Sequence, residues 1–152
     1  LSSAKELIDR ALELNPNLAN AWANSGWINV WLGNPATAVE QLNHARRLDP
    51  LTIMSFSPMA HACYFLDQYD QALDQAQRLL RLNPNNHAAL RIAAASAAFA
   101  GHADLAAQLA ARLQSIDPAF NISRLTEYLG PYQAPELRKY AEGLRLAGLP
   151  EV

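Results

Sequence analysis

Four dipeptides, Asn15-Pro16, Asp49-Pro50, Asn83-Pro84 and Asp117-Pro118, place prolines 34 residues apart along the chain. Two positions before each proline stands an aliphatic residue (Leu14, Leu48, Leu82, Ile116), and twelve before it an alanine (Ala4, Ala38, Ala72, Ala106). Three columns in register over four periods define an internal repeat, and a period of this length is the mark of a stacked array. The composition says what the repeat unit is made of. The chain holds 29 Ala and 24 Leu against three Val, six Ile and three Thr. Alanine and leucine are strong helix formers, and a chain this poor in β-branched residues has little to build a sheet with. The expected fold class is all-α.

Within one period, Ala38, Val39, Leu42, Ala45 and Leu48 follow helical spacing. Asn34-Pro35 ahead of them supplies an N-cap followed by proline at the first helical position, where a missing N–H costs nothing. The helix must stop before Pro50, because proline disfavours helical geometry in the preceding residue. Upstream, positions 18–32 form a second helical pattern stopped by Gly33, suited to a left-handed C-terminal cap. Gly101 stands at the same stop two periods later, and Asp67 in the middle period. Each unit therefore reads as a helix, a tight turn and an antiparallel helix, which can bury its apolar face only by stacking on neighbours.

Trp22, Ser25-Gly26, Ala38, Leu42, Ala45 and Pro50 match the pattern of the tetratricopeptide repeat; Phe56, Ala60, Cys63, Ala72 and Pro84, and then Leu90, Ala94, Ala106 and Pro118, continue it. The chain resembles that family from residue 1 to about 118, with Ser25 and Asn29 where the family has leucine and tyrosine. The resemblance implies a right-handed α-α superhelix of about nine helices and no strand. The expected division is a half repeat (1–18), three repeats (19–52, 53–86, 87–120) and a C-terminal cap (121–152). Positions 1–14 supply only a second helix, so the chain is expected to start mid-repeat, as a piece of a longer protein. Leu7, Ile8, Ala11, Leu12 and Leu14 give that helix more apolar surface than one neighbour covers. The edge is expected to fray or to form a homodimer.

After Pro118, Ile122, Leu125 and Leu129 suggest a short helix ending at Gly130-Pro131. Pro135 opens a last helix carrying Leu137, Tyr140, Leu144 and Leu146, with Arg138, Lys139, Glu142 and Arg145 for a polar outer face. The stretch 143–151, with Pro131-Tyr132, is similar to the C-terminal ends of repeat regions on bacterial class III adenylate/guanylate cyclases and related winged-helix regulators. That resemblance implies a regulatory appendage whose catalytic or DNA-binding domain lies upstream.

The chain shows little chemistry of its own. Twelve Lys+Arg against fourteen Asp+Glu give a net charge of −2, without the basic footprint of a nucleic-acid or membrane-surface binder. No apolar run approaches the ~20 residues of a membrane span. His44, His61, His87 and His102 are scattered without ligand spacing, and no metal, phosphate-loop or nucleophile motif is present. An unrecognised enzyme site built from the scattered His and Asp/Glu is the remote alternative, and a structural spacer a third reading. No cofactor is expected. Cys63, the single cysteine, falls in an inward-packing column and agrees with a reducing, cytoplasmic setting.

What remains is a surface. In the resembled family the first helices line the concave side, where partner proteins or peptides bind. Asn20, Asn24, Trp27 and Trp31 lie on one such stripe; one period on it passes through Met54, Pro58, His61 and Phe65, then Ala88, Ile92, Ala95 and Phe99. Ser57 and Arg91 flank it. Trp31, Phe65 and Phe99 form an aromatic column that reads as packing between repeats. Trp27 beside two amides reads as an anchor for a peptide backbone. The tentative binding residues are Asn20, Asn24, Trp27, Trp31, Ser57, His61 and Arg91. Pro58 falls inside a first helix, where it would delete a hydrogen bond at a cost of roughly 3 kcal/mol. A late start, capped by Ser55 or Ser57, or a kink at 54–58 is expected.

Overall fold

In a computed structural model, which describes residues 1–152, the chain forms eight α-helices and two short 3-10 helices. Helix α1 spans Ser2–Leu14, α2 Ala19–Trp31 and α3 Pro35–Leu48. A 3-10 turn at Ile53–Ser55 leads into α4, Phe56–Phe65, followed by α5, Tyr69–Leu82. Helices α6, His87–Phe99, and α7, Ala103–Ile116, complete the third pair. A second 3-10 helix, Ile122–Glu127, precedes α8, Ala134–Leu146.

The periodic residues act as the sequence indicates. Asn15, Asp49, Asn83 and Asp117 all leave helical geometry with φ of −146°, −140°, −137° and −140°, so each second helix ends two residues before its proline. The three turns inside the hairpins share one construction. Gly33, Asp67 and Gly101 sit at φ of +77°, +61° and +83°. The next amide in each returns to a carbonyl five residues back: Asn34 to Asn29, Gln68 to Cys63, His102 to Ala97. Asp67 holds a conformation disfavoured for most side chains, which aspartate tolerates better than most. Its carboxylate also accepts a hydrogen bond from the Tyr69 hydroxyl at 2.8 Å.

Helices α2/α3, α4/α5 and α6/α7 pair as hairpins and stack through α3 on α4 and α5 on α6. Small residues set the spacing: Ala38, Ala45, Ala60, Ala72, Ala76 and Ala94 are all fully buried. A Cβ on Gly26 would stand 2.6 Å from Leu42 Cγ, so α2 approaches α3 through a missing side chain. Helix α6 is buried all round from Ala89 to Ala97, as expected only of a helix covered on every side.

The start of α4 follows the late-start expectation. With Ser55 at the N-cap, Pro58 falls in the first turn, where its absent N–H has no helical partner to lose. Pro58→Ala is therefore expected to change unfolding free energy by less than about 1 kcal/mol, not the ~3 of a mid-helix proline, in a urea titration.

The two ends of the chain are built differently. The N-terminal edge is a regular helix, α1, lying on α2 with no buried residue; Leu7 and Leu14 stay more than 70% exposed. At the other end, α8 does not extend the stack beyond α7. It turns back and packs on α6, with its start near Gly33 and Trp31 of the first hairpin. The tail closes this return through Pro150 and Glu151, whose carbonyls accept from the Ile122 and Ser123 amides at 2.9 Å. The capping helix thus lies across the first helices. No helix is long and apolar enough to cross a membrane.

Candidate functional site

The first helices α2, α4 and α6 pack side by side and present one face. The C-terminal segment fills most of it. Gln133 Nε2 donates to the Trp31 carbonyl at 3.1 Å, and the Tyr64 hydroxyl donates to the Lys139 carbonyl at 2.6 Å. Lys139 pairs with Asp67 and sits 5.5 Å from the Tyr64 ring centre. A Cβ on Gly143 would collide with the Tyr64 hydroxyl and stand 2.8 Å from Ala95 Cβ. A Cβ on Gly130 would stand 2.5 Å from the Trp31 ring. At both glycines the loop and helix of the return segment come too close for any side chain.

The residues singled out by the sequence divide into two groups. Asn20 and Asn24 are exposed, and Trp27 is partly open; these form the free part of the face. Trp27 stacks on Trp31 at 5.4 Å and 19° and lies against His61 at 4.9 Å. Trp31, Ser57, His61 and Arg91 belong to the covered part. His61 is 1% and Arg91 5% exposed, and Ser57 Oγ is buried without a partner. The aromatic column meets the returning segment as well as its neighbours: Phe65 touches Tyr132 and Tyr140, while Phe99 stacks on Tyr69.

Burial drives the protonation states. His61 is pushed down to about 3, chiefly by burial, so it is neutral. Its Nδ1 donates to the Ser57 carbonyl at 2.7 Å, leaving Nε2 to accept from the Tyr140 hydroxyl at 3.3 Å. Arg91 donates to His87 Nδ1, which obliges His87 Nε2 to carry the proton it shares with Asp117 at 3.1 Å. Asp117 also accepts from the Tyr128 hydroxyl at 2.8 Å, and His87 stacks flat on the Tyr128 ring at 4.8 Å. Burial and the neighbouring Arg91 cation hold His87 below its ordinary value. Both nitrogens of His87 are engaged, so neither is free to take a substrate proton. No three His, Cys, Asp or Glu side chains gather closely enough to hold a metal ion.

Comparison with known proteins decides the fold. The chain aligns with the crystal structure of MamA over 94% of its length and 84% of that chain, at a TM-score of 0.69 and 23% identity. It aligns with YrrB, described as a TPR protein with an unusual peptide-binding site, over 96% of this chain and 80% of that one, with TM-score 0.67 and 22% identity. The fold is that of tetratricopeptide-repeat proteins. In sequence, 94 residues are 27% identical to small glutamine-rich tetratricopeptide repeat-containing protein 2 of Mycosarcoma maydis. That match takes in 62% of this chain and 27% of the relative's length. No family model matches the chain.

On this tetratricopeptide fold the site residues missed by pattern reading are Tyr128, Tyr132, Lys139, Tyr140 and Gly143. Their contacts across the face bridge 37 to 79 residues of sequence, beyond any local periodicity. One signal was available. A glycine inside a helix costs roughly 1 kcal/mol against alanine, and Gly143 beside Tyr140 and Leu144 marks a face pressed closely against something.

Proposed function

We infer that the chain is a non-catalytic module that binds a protein or peptide segment on the face of α2, α4 and α6. The observation that carries this is the face's state. It already holds a segment of polypeptide, residues 128–146, while Asn20 and Asn24 remain exposed and Trp27 partly open beside it. A half-open indole flanked by free amides supplies an apolar anchor and both donor and acceptor groups for a main chain. The fold shared with YrrB, itself described as having a peptide-binding site, is in keeping with the reading. Screening the whole chain against a random peptide library tests it. Trp27→Ala is expected to weaken a selected peptide by about tenfold or more, the size of an aromatic hot spot, with the far-UV circular dichroism unchanged. Binding insensitive to both Trp27→Ala and Asn24→Ala would overturn it. A dimer lost in Leu7→Glu would instead favour self-association through the exposed α1 leucines.

The finer reading is that the module is the C-terminal regulatory region of a bacterial, cytoplasmic signalling protein such as an adenylate/guanylate cyclase. It rests on the likeness of positions 131–151 to such regions. The coding sequence ahead of Leu1 tests it: a cyclase or winged-helix domain there would support it, and an unrelated domain would exclude it.

A further inference from the structure

The repeat carries its own internal control for a second site, on the opposite side of the stack. At the junction of the second and third hairpins, Leu73, Leu80 and Leu109 close the seam over Ala93 and Ala97, all five nearly or fully buried. One period earlier the same positions hold Val39, Arg46 and Gln75 over Met59 and Cys63. The place of Arg46 is taken by leucine both one period before it and one period after it, Leu12 and Leu80. The seam between α3 and the α4/α5 hairpin is open, with a cavity of about 420 Å³, a size usual for small-molecule sites. A polar seam gives up apolar burial that the next junction keeps, and chains break their own local rules mostly where function requires it.

The cavity holds a charge that the fold leaves without a counterion. Arg46 is half-buried; its Nε donates to Ser55 Oγ at 2.9 Å, Nη2 donates to Gln75 Oε1, and the guanidinium lies 5.4 Å from the Phe56 ring centre. Ser55 is fully buried and donates onward to the Thr52 carbonyl at 3.1 Å, so neutral groups fix the orientation of the guanidinium. Its Nη1 makes no hydrogen bond within the protein. Burial, and then the like charge of Arg78, hold Arg46 below its ordinary value. The two carboxylates of the cavity are engaged elsewhere, Asp74 with Arg78 at 2.9 Å and Asp70 with His102 at 3.0 Å.

The remaining lining narrows what fits. Val39, Met59 and Cys63 supply apolar surface, and Asn43 and Gln71 offer side-chain amides without partners in the protein. Asp70 and Asp74 repel a dianion such as a phosphate monoester and attract a cationic group. A monoanionic carboxylate with an ammonium close beside it satisfies both signs of charge. We propose that this cavity binds a free α-amino acid with an apolar or thioether side chain. Its carboxylate meets Arg46 Nη1, its ammonium lies toward Asp70 and Asp74, and its side chain covers Met59 and Cys63. No residue of the return segment lines the cavity, and the proposal goes beyond the binding-module reading without depending on it.

The test titrates the whole ¹⁵N-labelled chain with L-methionine, and separately with L-leucine, at millimolar concentrations. Saturable shifts of the Arg46 Nε–H and Cys63 amide resonances are expected. Methioninamide, which lacks the carboxylate, and the deaminated acid, which lacks the ammonium, are each expected to bind at least about tenfold more weakly than methionine. Arg46→Leu restores the residue that the repeat carries at Leu12 and Leu80, and is expected to fold and to lose the saturable shifts. Should it unfold, the two analogues decide the matter on the wild-type chain. The absence of saturable shifts with both amino acids would overturn the proposal. So would shifts that persist in Arg46→Leu, or inorganic phosphate binding in place of methionine. Capture of library peptides through Trp27 would still stand in each case, so the two failures are distinguishable.

Discussion

Taking the protein from pH 7.5 to pH 4 is expected to lower its stability by about 3 kcal/mol through His61 alone. Burial holds this imidazole down to about 3 in the fold, whereas an unfolded histidine titrates near 6.5. Above pH 6.5 both states are neutral and the group has no effect. As pH falls below 6.5 the unfolded chain takes up a proton that the folded chain refuses, so stability drops steadily until about pH 3. Only the Ser57 carbonyl, hydrogen-bonded to Nδ1, works against the burial; no carboxylate faces the ring, whose other neighbours are Trp27, Tyr132 and Tyr140, and Arg91 adds a like charge. Protonation would also reverse the hydrogen bond between Nε2 and the Tyr140 hydroxyl, with the ring as donor. Asp67 and Asp117, both held low by hydrogen-bonding partners, lose stability in the same direction. The His61 share is therefore read as a difference. Urea unfolding of wild type and His61→Gln at the two pH values should give free-energy gaps that differ by about 3 kcal/mol. Equal pH dependence in the two proteins would sink the assignment.

The hairpins were legible because their determinants are local. Gly33, Asp67 and Gly101 each close a turn within six residues, and the four Xaa-Pro steps end helices without reference to anything distant. Pro58 could be placed for the same reason, since a proline in a first turn is a matter of its own helix. The candidate site was legible only in part. The stripe Asn20, Asn24, Trp27, Trp31, His61 was correctly placed on the first helices. What lies over it depends on where α8 docks. Its apolar residues, Leu137, Tyr140, Leu144 and Ala147, have the same spacing whether the helix caps α7 or returns across α6. The choice is made by shape, through Gly130 under Trp31 and Gly143 under Tyr64, and by the Tyr64–Lys139 hydrogen bond. Such contacts between positions tens of residues apart leave no period in the sequence. The apolar surface expected at the α1 edge was legible from Leu7 and Leu14 alone, because a helix with a neighbour on one side only leaves its far face open.

Arg91→Met is expected to raise stability by about 1–2 kcal/mol, against the usual direction for a buried substitution. Arg91 is 5% exposed in the most buried helix of the molecule, yet it has no carboxylate partner. Its guanidinium donates to His87 Nδ1, reaches the Tyr128 carbonyl only at 3.5 Å, lies 5.7 Å from the Tyr128 ring centre, and has the Tyr140 hydroxyl as a further neutral neighbour. Asp117 is reached only through the imidazole. Burying a charge without a compensating ion costs several kcal/mol, and neutral acceptors with one ring recover only part of it. Methionine is unbranched and adaptable, so it can occupy the stem's volume without opening a large cavity. The substitution also removes the like charge that depresses His87, whose titration should then move up toward its ordinary value. Urea unfolding reads the first effect and histidine NMR the second. A loss of several kcal/mol with His87 unmoved would mean that the guanidinium is well compensated after all. A gain would mean that Arg91 is held at the expense of the fold, and that its place under residues 128–132 is explained by what the face receives.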